Sequence, residues 1–314
     1  MKIAYLNLCH CDPDLTARAA KKLTNVQNFD MYIHVDLKSD IAPFLEKMGD
    51  SERIFFLKKR YEVYWGGFQA IRATLELLRT AVQSETPYDR YVILQNLDYP
   101  IKSNQEILKF FEDHADTEYI RACKIAQTKD WHFAEKYKII HTYDGDSGVK
   151  KDNKVARFFH NVKKYIKSIP NLRFDGIIRE SGEEYPIYYG AAQWAITDAC
   201  ARYILEFADT HPIFNEKMKH IKFPDEEYFH TIVHNSAFKY RCVRYDEPEQ
   251  RWLVNWRNLH YFEYPKEITV FESKDFEKLM SQEALYCRKV RTGISDELLH
   301  LIDYQTDATN KRSQ

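Results

Sequence analysis

The sequence predicts an α/β fold, a doubly wound and mainly parallel sheet with flanking helices. Three observations lead there. Short apolar runs rich in β-formers alternate with amphipathic helical stretches through the first 125 residues. The helical stretches between them, clearest at 68–82, place the runs in βαβ units. The chain of 314 residues, 44% hydrophobic, is long enough for one large core.

The strand-like runs lie at 3–8, 31–35, 54–57 and 91–94, with a weaker one at 119–120. Helical patterns fill the gaps at 14–24, 41–48, 68–82 and 104–113; the third is clearest, with Ala70, Ala73, Leu77 and Leu78 at helical spacing. Ligands of such sheets bind beyond the C-terminal ends of the strands, which directs attention to 9–14, 36–39, 58–67 and 95–104. Residues 126–185 are polar and basic. Within them KVARFFHNVKKYIKSI (154–169) gives an apolar stripe opposite Lys154, Arg157, Lys163, Lys164 and Lys167. Such a helix either packs its stripe on its own domain or lies on an anionic membrane surface. Farther on come a strand-like stretch at 185–197, helices at 198–207 and 224–235, strands at 239–245 and 266–271, a last helix near 296–303 and a polar tail at 304–314.

Composition excludes several functions. The nine glycines form neither GxGxxG nor GxxxxGK[ST], so a glycine-rich phosphate cradle is absent. A net charge of −1 argues against a nucleic-acid binder. Six scattered cysteines without a CxxC pair fit reduced thiols rather than a disulfide framework or a zinc site. The opening MKIAYLNLCH is too short for a signal h-region, and no apolar stretch approaches the ~18 residues of a membrane span. The expected location is cytoplasmic, with peripheral contact at the inner face of the cell membrane as the membrane reading of 154–169.

Several segments carry residues suited to chemistry. In FPDEEYFHTIV (223–233), Pro224 suits a first helical turn, and Asp225, Glu226 and Glu227 either favour the dipole or offer a base. Asp98 ends the buried run YVILQNLD. Asp12-Pro13-Asp14 and Asp144-Gly145-Asp146 match DxD literally but read as turn chemistry, and His230 and His234 read as a packing pair. Trp65-Gly66-Gly67 precedes the clearest helix, and YCRKV (286–290) sets two cations beside an aromatic.

Taken in order, IAYLNLCH (3–10), YIHVDLKSD (32–40), VYWGGFQAIRATLELL (63–78), DYPIKSN (98–104), YYGAAQWAIT (188–197), FPDEEYFHTIV (223–233), RWLVNW (251–256) and YCRKV (286–290) resemble the core-2/I-branching β-1,6-N-acetylglucosaminyltransferases, glycosyltransferase family 14, nearest its bacterial members; the family also contains peptide O-xylosyltransferases. The resemblance implies a variant GT-A fold and inverting, metal-independent transfer of a sugar, GlcNAc first and xylose as the alternative, from a UDP-sugar to a glycan or lipid-linked glycan, in bacterial surface polysaccharide synthesis. Residues 1–125 would form the nucleotide-sugar half and 126–303 the acceptor and catalytic half of one domain. The resemblance makes Glu226 the catalytic base. It sets Lys289, Lys266 and Arg288 on the diphosphate, Asp36, Lys38, Trp65 and Asp98 around the nucleotide, and Trp256 and Trp194 on the acceptor. No metal or other cofactor is implied. Phe223 stands where the family has serine, and Ala191 where serine usually follows Gly190. Two other readings of the residues remain: a glycoside hydrolase using Asp98 and Glu226, and a non-catalytic carbohydrate binder, suggested by 46 aromatics among 314 residues.

Overall fold

The computed structural model describes residues 1–141, 144, 162 and 165–312. Its elements are β1 (Ile3–Cys9), α1 (Pro13–Leu23), β2 (Phe29–Val35), α2 (Ala42–Met48), β3 (Ile54–Phe56), α3 (Gln69–Val82), β4 (Arg90–Gln95), β5 (Asp98–Pro100), α4 (Asn104–Asp113), β6 (Cys123–Lys124), α5 (Trp131–Lys138), β7 (Ile177–Glu180), β8 (Glu183–Pro186), β9 (Tyr188–Tyr189), β10 (Ala195–Thr197), α6 (Asp198–Thr210), α7 (Pro212–Met218), α8 (Tyr228–His234), β11 (His260–Tyr261), α9 (Phe276–Met280), β12 (Tyr286–Arg288) and α10 (Asp296–Arg312).

The main sheet runs β10-β4-β1-β2-β3, with β4, β1, β2 and β3 parallel and β10 antiparallel at the edge. Alternate residues go to opposite faces. Ala4, Leu6, Tyr32, Tyr91 and Ile93 pack with Leu77 and Leu78 of α3 and Ile204 of α6. Tyr5, Met31, Ile33, Val92 and Leu94 pack with Ala20 of α1, Phe44 of α2 and Phe111 of α4. Both faces are therefore covered, which accounts for the continuous apolar runs and meets the fold class expected. Helix ends are capped as the sequence allows: Ser103 and Glu106 form a capping box on α4, and the Thr197 hydroxyl accepts from Cys200 N–H on α6.

A second sheet, β11-β12-β5, stands beside the C-terminal end of β4, over a third core of Leu97, Tyr99, Phe271, Val290 and Leu298. The proposed halves thus interlock. β10 from the second half edges the main sheet, and β5 from the first half pairs with β12 near the C-terminus.

Five local expectations differ. The last helix does not stop near 303: α10 runs through most of the expected polar tail, to Arg312. The 185–197 stretch divides into β8, β9 and β10. The 224–235 helix begins as a 3-10 turn, Pro224–Glu226, and turns α only from Tyr228. Residues 239–245 begin in a 3-10 turn, Ala237–Arg241, followed by an isolated bridge between Cys242 and Glu118 in place of a strand. Residues 266–271 form no named strand; Phe271 N–H instead donates to the Lys289 carbonyl. Most of the basic stretch 154–169 lies outside the described residues; Val162, Ile166 and Ile169 of its apolar stripe are exposed where described. Among the described residues no helix is long and apolar enough to cross a membrane.

Candidate active site

The order β3-β2-β1-β4 reverses direction between β1 and β4, so a cleft is expected at their C-terminal ends. Asn96, just past β4, shapes the loop after β1: its Oδ1 accepts from His10 N–H and Cys11 N–H, each at 2.7 Å, and its Nδ2 donates to the Cys11 carbonyl. At the end of β2, Asp36 accepts from Lys38 Nζ at 2.9 and 2.7 Å and from Lys38 N–H. Lys38 also donates to the Val63 carbonyl and lies 4.4 Å from the Tyr64 ring centroid, tying the 63–67 loop to this rim. That loop carries Trp65, 83% exposed, whose ring packs at 4.5 Å on Phe223. Asp36, Lys38 and Trp65 therefore share one rim with the segment bearing Glu226. At Gly67 a β-carbon would displace the Asp144 carboxylate, which accepts from Phe68 and Gln69 N–H at the start of α3. Asp12 likewise caps α1 and accepts from Thr292, so neither Asp12 nor Asp144 is a free ligand.

Glu226 is held from three sides. Phe223 sits in the left-handed region at φ 56°, a strained conformation for an aromatic residue, and turns the chain into Pro224–Glu226. The Glu226 carbonyl accepts from Gly190 N–H at 2.9 Å. Its carboxylate Oε2 accepts from Lys136 Nζ at 2.8 Å, while Oε1 makes no hydrogen bond among the described residues. Lys136, on α5, is buried and also lies 2.9 Å from Glu227 Oε1. Burial would lower its pKa, but the charges of Glu226 and Glu227 prevail and raise it. Glu227 is displaced upward by burial, with Lys136 opposing. Asp225 is pushed up to about 6, by burial first and by the neighbouring Glu226 charge second.

Across the rim stand the cations. Arg288 on β12 donates to Asp98 Oδ1 at 2.7 Å, and the other Asp98 oxygen accepts from Gln95 N–H at 2.7 Å and lies 3.3 Å from His260 Nε2. Burial would raise the Asp98 pKa, but Arg288 and His260 bring it below the usual range. The charge of Arg288 also acts weakly on Asp225 and on His10. Lys289 and Arg291 have no carboxylate within ion-pair distance among the described residues. Burial and the charges of Arg288 and Arg291 lower the Lys289 pKa. Lys266 is exposed, in the loop leading to Thr269, whose carbonyl accepts from Lys289 N–H.

Three expected roles change. Trp256 is wholly buried, its indole N–H donating to the Gln250 carbonyl, and Trp194 is buried against Phe229. Neither ring offers a face to an acceptor. Asp98 is equally enclosed and paired with Arg288, so its carboxylate is not open to a nucleotide or to a glycosidic oxygen, which tells against the hydrolase pair of Asp98 and Glu226. Residue-by-residue reading missed Lys136 and Arg291. Lys136 could have been found from the apolar face of WHFAEKYK, which carries it inward with Phe133 and Tyr137. Among the described residues, no three His, Cys, Asp or Glu side chains cluster as a metal site.

The family model for Core-2/I-branching enzymes matches residues 3–280. Xylosyltransferase 2 of Homo sapiens is 22% identical over 324 residues, covering 97% of this chain and 33% of that protein. Xylosyltransferase 1 of Canis lupus familiaris is 20% identical over 326 residues, covering 97% and 30%, and xylosyltransferase oxt of Drosophila melanogaster is 21% identical over 236 residues, covering 72% and 23%. The chain spans about a third of the length of the curated relatives it matches.

Proposed function

The chain belongs to the Core-2/I-branching enzyme family, and from that premise we propose that it is an inverting glycosyltransferase that moves a sugar from a UDP-sugar to a hydroxyl of a glycan acceptor. The observation that carries the reading is the partly exposed Glu226 carboxylate, with one oxygen held by Lys136 and the other without a hydrogen bond among the described residues.

The chemistry follows from that placement. Glu226 Oε1 takes the proton of the acceptor hydroxyl as its oxygen attacks the anomeric carbon, and the bond from that carbon to the diphosphate breaks on the opposite face. The configuration inverts in one displacement. Charge growing on the leaving diphosphate is met by Lys289 and Arg288, with Arg291 and the exposed Lys266 nearby; such fixed cations can do the work that a divalent ion does elsewhere. Asp36, Lys38 and Trp65 would border the nucleoside. The donor is UDP-GlcNAc on the motif reading. UDP-xylose is the second reading, favoured by the names of the relatives.

Glu226→Gln tests the base. Transfer should fall by roughly 10²–10⁴-fold while UDP still raises the melting temperature. Full activity in the folded variant would remove Glu226 from the role. Parallel assays with UDP-GlcNAc and UDP-xylose decide the donor.

A further inference from the structure

Away from the cation rim, an open depression of about 730 Å³ is lined by Lys129, Asp130, Trp131, His132, Glu135 and Arg251. Trp131, at the start of α5, is 51% exposed, and Trp252, next to Arg251 in the chain, is 70% exposed. Tryptophan is rarely left so open in a folded chain. Two ties hold the segments bearing these rings together. Arg251 donates to both Asp130 oxygens, at 2.7 and 2.9 Å, and the Thr128 hydroxyl donates to Glu249 at 2.8 Å.

The depression connects with Glu226 through α5. Lys136, the partner of Glu226, follows Trp131 by five residues, about 7.5 Å along the helix axis. Glu135 pairs with Lys222 at 2.6 Å, and Lys222 N–H donates to the Lys136 carbonyl at 3.0 Å, one residue before Phe223. A ligand lying along Trp131 and Glu135 therefore runs toward Lys222, four residues before Glu226 in the chain.

We propose that this depression binds an extended neutral glycan, the part of the acceptor chain beyond the sugar that receives transfer, with Trp131 as the stacking face and Asp130, Glu135 and Arg251 meeting hydroxyl groups. The acceptor assignment rests on the function proposed above; the binding site does not. The lining decides the ligand class. Two carboxylates offset two cations, so no net charge selects an anion or a cation. Burial, with Lys136 second, lowers the His132 pKa and favours its neutral form. A peptide would need apolar pockets for its side chains, and the lining offers one aromatic ring among five polar groups. A sugar presents an apolar face and a ring of hydroxyls, which matches that mixture.

Calorimetric titration with cellotetraose, chitotetraose and xylotetraose, each against its monosaccharide, tests the site. At least one tetrasaccharide should bind ten-fold or more tightly than its monosaccharide. Trp131→Ala should lose most of that difference, and Trp131→Phe should retain most of it. With transfer measured, Trp131→Ala should raise KM for the long acceptor and leave KM for the UDP-sugar unmoved. The proposal is overturned if no tetrasaccharide outbinds its monosaccharide, if Trp131→Ala binds like wild type, or if the substitution weakens a peptide acceptor alone. Tetrasaccharide binding that depends on Trp131, without transfer from any UDP-sugar, would keep the site and refute the transferase reading.

Discussion

Asp225 is the residue of the site whose charge should respond to ordinary acidity. Its pKa is raised from 3.8 to about 6, burial being the main cause. Below pH ~4 the folded and unfolded chains both hold this proton. Between ~4 and 6 only the folded chain does, so the stability that Asp225 contributes is lost as pH rises through 6. Asp225→Asn should therefore match wild type in denaturant melts near pH 4 and exceed it at pH 7, by about 2–3 kcal/mol. Equal stability at both values would show that the carboxylate is not desolvated in solution. Single residues were legible where a motif named the side chain and its exposure did not matter: Glu226 keeps part of its carboxylate open beside Lys136, and Lys289 keeps a cation without a carboxylate partner among the described residues. Burial was not legible. Nothing in RWLVNW tells that Trp256 faces inward while Trp252, four residues earlier, faces out.

Among the elements, the β9 segment and α8 meet most closely at Gly190. A β-carbon there would lie 2.6 Å from His230 Cδ2 and closer still to the Arg121 carbonyl. Both neighbours are fixed: His230 is enclosed, and Arg121 is clamped to Glu247 by two bonds at 2.8 and 2.7 Å. Gly190→Ala should cost about 1–3 kcal/mol and move the Glu226 carbonyl that Gly190 N–H supports, lowering kcat as well as the melting temperature. An unchanged melting temperature would mean that the two elements stand farther apart than described. Long parallel strands were readable because burial on both faces writes a continuous apolar run. The β5–β12 pair was not, because strands of three residues leave no period to detect and owe their pairing to Asp98 and Arg288. The αL turn at Phe223 was likewise hidden, since αL is disfavoured for an aromatic side chain and tertiary contacts must impose it.

At the scale of the whole molecule, the donor site proposed above would draw on both halves: the segments after β1, β2 and β3 on one side and the β12 segment on the other. UDP should therefore stabilise the entire fold against heat, by about 2.7 kcal/mol at a hundred times its Kd. That stabilisation should persist in EDTA if side-chain cations alone hold the diphosphate. Lys289→Ala removes a cation with no carboxylate partner among the described residues, so the unliganded melt should stay put while UDP binding weakens by roughly 10–100-fold. Loss of UDP stabilisation in EDTA, restored by Mn²⁺ or Mg²⁺, would overturn metal independence. The same split has a consequence during synthesis. Asp98 and Arg288 are 190 residues apart, so at ordinary translation rates the carboxylate emerges roughly 10–40 s before its partner exists. An unpaired carboxylate resists burial, so β5 stays hydrated and undocked through that interval. A nascent chain should have no working donor pocket until translation has passed β12, however early the parallel strands assemble.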